Sequence, residues 1–158
     1  MSILDQIYEA AFVPELWPEV LGQIAQVSGA FSGALLIIDK NLPPMFAATP
    51  NVVDTLAEFA QTPYWYENPP AHRLRTTNYP GIIERADFFR DEERNSESPY
   101  RANMERIGAD WQVASVIDRP EGEMALFTSK DSGLPDFDRK DLARLDAFRP
   151  HLARASIC

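Results

Sequence analysis

Two helices are predicted at the start of the chain, because apolar residues recur there every three or four positions. The first covers residues 2–12 and ends before Pro14. The second runs from Trp17 to Ser28, with Pro18 in the first turn, where its missing N–H has no partner to lose.

Two pairs of strands are predicted on either side of a longer central segment. The apolar run from Ser32 to Asp39 is typical of a strand buried on both faces, and residues 45–48 follow it across a proline-containing turn. Residues 111–118 and 123–130 form the second pair. The sequence therefore predicts two hairpins that build an antiparallel sheet.

Further helices are predicted after the first hairpin and at the end of the chain. A third helix starts with Asn51 as its N-cap. The last helix is expected as one element from its N-cap Asp136 to Ala155, with Pro150 either kinking it or marking a restart. No Gly, Asn or Pro terminates it, so we expect a longer parent protein in which this helix continues as a connector.

The central segment is rich in loops, and its pattern predicts two short helices, at 86–94 and 98–108. The order of elements indicates an α+β fold, an α/β sandwich with flanking N- and C-terminal helices and a helical insert over one face of the sheet. This is a PAS/GAF-like architecture. We expect residues 1–158 to form a single sensory domain.

Charge and cysteine content narrow the possible partners. The net charge of −9 would repel nucleic acid and anionic membranes, so this segment is not expected to bind either. The single cysteine, Cys158, excludes an internal disulfide. The chain start lacks the features of a signal peptide, and the apolar run at 34–38 is too short to cross a membrane. We therefore expect a cytoplasmic location.

The sequence contains no catalytic or metal-binding pattern. His72 and His151 lie far apart, without a neighbouring Cys or His at metal-ligand spacing. The segment 28–33 has neither the Gly-x-Ser-x-Gly order of a nucleophile elbow nor the Lys-Ser/Thr of a phosphate-binding loop. We predict no enzyme, no catalytic residues, no metal and no cofactor; a small enzyme is the least favoured alternative.

An aromatic and proline-rich block at residues 59–70 opens the central segment. Rigid rings supply apolar contact area, and Tyr O–H and Trp N–H groups can orient a ligand. We predict a small, mostly apolar molecule bound under residues 64–110. The candidate ligand-binding residues are Tyr64, Trp65, Tyr66 and Asn68 as contacts, with Phe46, Phe88 and Trp111 as walls.

The same rings could instead fasten the insert to the sheet. In that alternative the domain binds no ligand and serves as a dimerisation or signal-relay module. A homodimer through the terminal helices is expected in either case. The basis is that Leu152, Ala155 and Ile157 should find little sheet to cover and would be free to contact a partner together with the first helix.

Four segments together resemble the N-terminal sensory region of LuxR-type helix-turn-helix transcriptional regulators of proteobacteria. They are Leu-Trp-Pro-Glu-Val-Leu at 16–21, Tyr-Trp-Tyr-Glu-Asn-Pro-Pro at 64–70, Ser-Pro-Tyr-Arg at 98–101, and residues 137–155. The resemblance covers nearly the whole chain. It implies a regulatory sensory domain whose DNA-binding domain is absent from this chain.

Residues 66–69, Tyr-Glu-Asn-Pro, are similar to the Tyr…Asp-Pro motif of quorum-sensing members that bind acyl-homoserine lactones. In those members the aspartate accepts a hydrogen bond from the amide N–H of the ligand. Asn68 occupies this position here. A neutral amide oxygen gives up the charge-assisted bond, which is roughly twice as strong, and this argues against an acyl-homoserine lactone ligand.

Overall fold

The computed structural model describes residues 2–38, 45–62, 83–84, 109–119, 122–131 and 137–155. Within these ranges the helices and strands, with a 3₁₀ turn at Pro14–Leu16, are α1 (Ile3–Phe12), α2 (Trp17–Val27), β1 (Ser32–Ile38), β2 (Met45–Ala48), α3 (Pro50–Ala60), β3 (Ile83–Glu84), β4 (Ala109–Arg119), β5 (Gly122–Asp131), α4 (Arg139–Asp146) and α5 (Arg149–Ala155).

The strands form one sheet in the order β2-β1-β5-β4-β3, and every neighbouring pair is antiparallel. The strand β1 lies between β2 and β5, and its residues Leu35 and Ala34 are buried on opposite faces, as the continuous apolar run predicts. The predicted α+β fold with an antiparallel sheet and flanking terminal helices is confirmed. The predicted helices at 86–94 and 98–108 lie outside the described residues.

One face of the sheet is covered by α1, α2, α4 and α5, which share a single apolar core with it. The largest apolar side chains of this core are almost fully buried: Ile7, Val20, Leu21, Ile24, Leu145 and Leu152. Gly33 lets α2 come close to β1, because a Cβ at this position would lie 3.0 Å from the carbonyl oxygen of Leu21. Residues of the apolar stripes predicted for the first two helices, such as Ile7 and Leu21, thus lie in this core.

The last helix differs from its prediction as one element. α4 ends at Asp146, a turn follows at residues 147–148, and α5 begins at Arg149. Proline at position 150 explains the break, since its ring clashes with the carbonyl of residue 146 in a continuous helix. Of the two outcomes expected at Pro150, a kink or a restart, the structure shows the restart.

Two predicted N-caps are wrong. The N-cap of α4 is Asp138, whose carboxylate accepts from the Asp141 N–H at 2.8 Å, while the Asp138 N–H donates to the Asp141 carboxylate at 3.0 Å. Asp136 cannot form this reciprocal pair, because the residue three positions later is an arginine. The N-cap of α3 is Thr49, followed by Pro50, instead of Asn51.

The burial of α5 corrects the reason given for a dimer. Leu152 is 0% exposed and Ala155 is 2% exposed, and both belong to the core shared with α1. They are therefore not free to contact a partner; Ile157 lies outside the described residues.

Within the described residues, no helix combines the length and apolar character that a membrane span requires.

Candidate functional site

The second face of the sheet carries a smaller apolar cluster, formed by β1, β2 and α3. Alternate residues of a strand point to opposite faces, so Leu35 joins the large core while Ala34 and Leu36 face α3. The buried members of this cluster are Ala34, Ala48 and Val52. Its partly buried members are Phe31, Leu36, Phe46, Val53 and Leu56.

Side-chain size changes along this face. Ala34 pairs with Ala48, and Val52 of α3 packs against these small residues. Two positions further along each strand, Leu36 pairs with Phe46, and both side chains are only partly buried. We call Leu36, Phe46, Val53 and Leu56 the apolar shelf. It offers accessible apolar surface that an apolar molecule or another segment can cover.

Thr49 fixes the start of α3 against β1. Its Oγ1 accepts from the Gly33 N–H at 3.3 Å and donates to Asn51 Oδ1 at 2.6 Å. The Asn51 side-chain amide in turn donates to the Phe31 carbonyl at 2.7 Å. This network, together with the Thr49 N–H bond to the Gly33 carbonyl at 3.0 Å, sets the position from which α3 covers the sheet.

The shelf itself consists of apolar side chains, and the charged residues of α3 lie elsewhere. Asp54 and Glu58 are exposed on the outer side of the helix. No group of three or more His, Cys, Asp or Glu suited to a metal ion occurs among the described residues. The apolar shelf can therefore bind a molecule by burying apolar surface. Its four side chains offer no group for acid–base or nucleophilic chemistry.

Two of the predicted site residues fall in the described strands. Phe46 is part of the shelf, and its role as a wall of a ligand site stays a prediction. Trp111 lies in β4, opposite Lys130 of β5. The predicted contacts Tyr64, Trp65, Tyr66 and Asn68, and the wall residue Phe88, lie outside the described residues.

The strand register gives the separation of Phe46 and Trp111. Phe46 stands level with Val116 of β4, three strands away, and Trp111 comes five residues before Val116. A strand spacing of about 4.8 Å and a rise of about 3.3 Å per residue put their backbones about 20 Å apart. Alternate residues of a strand belong to opposite faces, so a separation of five residues gives no support for one site that includes both Phe46 and Trp111, and the role of Trp111 stays a prediction.

Sequence reasoning missed the other members of the shelf and the Thr49 network. Helical spacing puts Val53 and Leu56 on the apolar stripe of α3, but which side of the sheet they cover depends on the pairing of β1 with β2. The pair Thr49-Pro50 carried a usable signal, because an N-cap residue followed by proline marks a helix start.

His151 has a contact partner that its sequence position did not indicate. Its Nδ1 lies 2.9 Å from the Tyr8 hydroxyl, and the two rings meet edge to face with their centroids 5.8 Å apart. The contact joins α1 to α5, two elements separated by almost the whole chain. The first and last described helices are thus fastened to each other.

The sequence matches no protein-family model and no curated protein. Solved structures do match the fold. The ligand-binding domain of VqsR from Pseudomonas aeruginosa aligns with a TM-score of 0.73 and 17% identity, over 98% of this chain and 94% of that one. CepR2 from Burkholderia cenocepacia, an N-acylhomoserine lactone-dependent LuxR family transcription factor, aligns with a TM-score of 0.65 and 12% identity, over 99% and 92%.

SdiA of Escherichia coli also aligns. Its complex with octanoyl-rac-glycerol gives a TM-score of 0.60 and 15% identity, over 99% of this chain and 59% of that one. The GAF3 domain of Slr1393 from Synechocystis gives 0.56 and 7%, over 98% and 96%. These identities are low, so the agreement is one of fold. The chain has the α+β fold that the ligand-binding domains of LuxR-type regulators share with GAF-type sensors.

Proposed function

We propose that this chain is the cytoplasmic, small-molecule-sensing domain of a transcriptional regulator, and that it binds a mostly apolar ligand between the sheet and residues 64–110. The observation that carries the proposal is the apolar shelf: Leu36 and Phe46 stand side by side and are only partly buried on a sheet face next to α3. Among solved structures of the same fold, the VqsR structure is a ligand-binding domain and CepR2 is an N-acylhomoserine lactone-dependent transcription factor.

The contacts beyond the shelf follow from the sequence. In the sequence, Tyr64, Trp65 and Tyr66 begin four residues after the end of α3, the helix that supplies Val53 and Leu56. We propose that these rings cover the ligand, that Asn68 hydrogen-bonds its polar end, and that Phe88 and Trp111 complete the walls. No catalytic group is required of a domain that binds and releases its ligand unchanged.

The response would pass through the C-terminal helices. A ligand changes a two-state equilibrium only as far as it binds one state better than the other. We propose that covering the shelf favours one arrangement of α4 and α5 relative to the sheet, and that a DNA-binding domain beyond this chain reads that arrangement.

The test uses two probes that share an octanoyl chain. One is 1-octanoyl-rac-glycerol, which lacks an amide, and the other is N-octanoyl-homoserine lactone, which has one. We expect the glycerol ester to bind the purified protein and raise its melting temperature. The lactone should bind more weakly, because Asn68 offers no charged acceptor for the amide N–H. Isothermal titration calorimetry gives both affinities.

Two phenylalanine substitutions provide the matched comparison. Phe46→Ala removes a ring from the shelf, and we expect about a tenfold loss of affinity for the bound probe, equal to about 1.4 kcal/mol. Phe12→Ala removes the same ring at the end of α1, where it is 77% exposed, and affinity should stay unchanged. Equal affinities of both variants and the parent would remove the shelf from the site. Trp65→Ala tests the proposed cover in the same way.

A relay module without a ligand predicts a different result. Neither probe would change the melting temperature, and mass spectrometry under native conditions would detect no small molecule carried through purification. That pair of results would favour the alternative in which the aromatic residues of the insert fill the space over the shelf.

A further inference from the structure

A cleft lies between the first two helices, and we call it the α1–α2 cleft. It is lined by Gln6, Glu9, Leu16, Glu19 and Val20. Val20 is only 1% exposed, whereas Glu9 and Glu19 are exposed. Apolar surface therefore lies at the bottom of the cleft, and one carboxylate stands on each helix beside it.

The size and shape of this cleft suit the side chains of a protein partner. Its volume is about 220 Å³, whereas pockets for drug-sized molecules start at about 300 Å³. A groove between two packed helices is also a shape that a third helix fills, because helices pack by placing the ridges of one into the grooves of another. The cleft is therefore better suited to the apolar stripe of a helix than to a free small molecule.

Large apolar side chains are exposed where α1 ends, next to the cleft. Phe12 is 77% exposed and Val13 is 41% exposed. The Val13 N–H donates to the Glu9 carbonyl at 3.0 Å, and the Val13 carbonyl accepts from the Leu16 N–H at 3.0 Å, so Val13 is bonded to two residues of the cleft. Adjoining exposed apolar residues rimmed by polar groups mark interaction surfaces. Phe12 and Val13 thus extend the apolar surface of the cleft.

The charges of this region select the kind of helix that fits. Residues 2–28, which include both helices, contain four carboxylates and no Lys or Arg. Two of these carboxylates, Glu9 and Glu19, belong to opposite walls of the cleft. A helix in the cleft would meet negative charge on both sides of its apolar stripe. Complementary charges favour association and like charges suppress it, so the matching helix carries Lys or Arg along both borders of the stripe.

We propose that the α1–α2 cleft, together with Phe12 and Val13, docks a basic amphipathic helix of a partner protein. The apolar stripe of that helix fills the cleft, and its cations face Glu9 and Glu19. This is recognition of a helix in a groove. The shelf faces α3 on the other side of the sheet, so docking does not depend on the proposed ligand.

A synthetic helical peptide of about 14 residues tests the docking surface. It carries a narrow stripe of leucines at helical spacing, lysines along both borders and alanines elsewhere. We expect fluorescence anisotropy to show saturable binding of one peptide to the 158-residue protein. Peptides with glutamates in place of the lysines, or with the same residues in scrambled order, should bind at least about tenfold more weakly. Equal binding of the three peptides would overturn the proposal.

Two pairs of neutral substitutions separate docking from general charge attraction. Glu9→Gln with Glu19→Gln removes the charge from both walls and should weaken binding of the lysine peptide at least about tenfold. Asp54→Asn with Glu58→Gln removes the same charge from the outer side of α3 and should change the affinity by less than about threefold; all four positions are exposed. Equal losses would mean that the peptide responds only to the net charge of −9, which contradicts docking in the cleft.

Two alanine substitutions in α1 test the apolar part of the surface. Phe12→Ala should weaken binding of the lysine peptide about fivefold, because it removes exposed apolar surface beside the cleft. Leu4→Ala is the control. Leu4 is 38% exposed but lies two residues before Gln6, which puts it about 200° around the helix from the cleft. Its substitution should leave the affinity unchanged, and equal effects at the two positions would overturn the assignment to the cleft.

Three further measurements distinguish this surface from misfolding, from a second copy and from the shelf. Circular dichroism confirms that each variant folds. Sedimentation velocity would overturn the proposal if it showed a dimer that Glu9→Gln with Glu19→Gln breaks and the lysine peptide does not displace, because a second copy would then occupy the cleft. Binding of 1-octanoyl-rac-glycerol should be unchanged in the same double variant. If that probe fails to bind while the peptide binds as expected, the proposed ligand site falls and the docking surface stands.

Discussion

The two faces of the sheet are built in different ways. On the face covered by α1, α2, α4 and α5, large side chains pack tightly against one another. Ile7, Leu21 and Leu152 have no exposed area there. On the face next to α3, the buried residues are small, and the larger ones, such as Leu36 and Phe46, stay partly exposed. The first face supplies stability. The second leaves apolar area for a ligand or for the insert.

Leucine truncation on each face gives the largest contrast. Leu152→Ala opens a cavity in a fully buried site, and we expect it to lower the free energy of unfolding by about 2–5 kcal/mol. Leu56→Ala removes the same atoms from the partly buried shelf, and the loss should be about 1 kcal/mol. Urea unfolding followed by circular dichroism measures both. Equal losses would mean that the shelf is as tightly packed as the core.

Adding a methyl group to a glycine tests how closely α2 approaches β1. Gly33→Ala brings a Cβ to 3.0 Å from the backbone oxygen of Leu21, and we expect a loss of about 1–3 kcal/mol in unfolding free energy. Gly22→Ala is the control, because its Cβ meets only a Thr49 methyl group at 3.8 Å. That helical substitution should stabilise by about 0.5–1 kcal/mol. A harmless Gly33→Ala would show that α2 can move away without cost.

The Thr49 network connects the two faces through β1, so its removal should loosen α3 in particular. Thr49→Val leaves the Gly33 N–H and Asn51 side chain without this partner, and we expect a loss of about 1–2 kcal/mol. Thr55→Val, a partly buried position within α3, is the matched control and should change stability by less than about 0.5 kcal/mol. Hydrogen exchange of the α3 amides should rise in Thr49→Val alone. Unchanged exchange would argue that packing on Val52 is enough to position the helix.

The smallest expected effect concerns a polar atom in the sealed face. Thr128 is 1% exposed, and its hydroxyl has no hydrogen-bond partner in the part of the chain that the structure describes. Thr128→Val replaces this hydroxyl with a methyl group of similar size, so stability should be unchanged or rise by up to about 1 kcal/mol. Thr128→Ala leaves a small gap and should lower it. A clear loss in Thr128→Val, measured by thermal unfolding, would reveal a hydrogen bond of the hydroxyl.

Local signals in the sequence were enough to determine most described elements. Apolar residues at helical spacing, such as Ile3 and Ile7, predicted α1, and the structure adds a capping box between Ser2 and Asp5 at its start. The run from Ser32 to Ile38 identifies a central strand in the same way. Pro150 predicted the interruption of the last helix. The recognition of a LuxR-type sensory fold followed from short segments scattered over the chain, and the fold agrees with it.

Only the tertiary structure decided which residues meet. The pairing of β1 with β2 puts Phe46 beside Leu36, and a shift by one residue would have moved Phe46 to the other face. Contact with α1 buries Leu152, whose periodicity alone is equally consistent with an exposed stripe. Sequence periodicity fixes the pattern within an element, whereas the contacts between elements depend on long-range packing that no local pattern encodes.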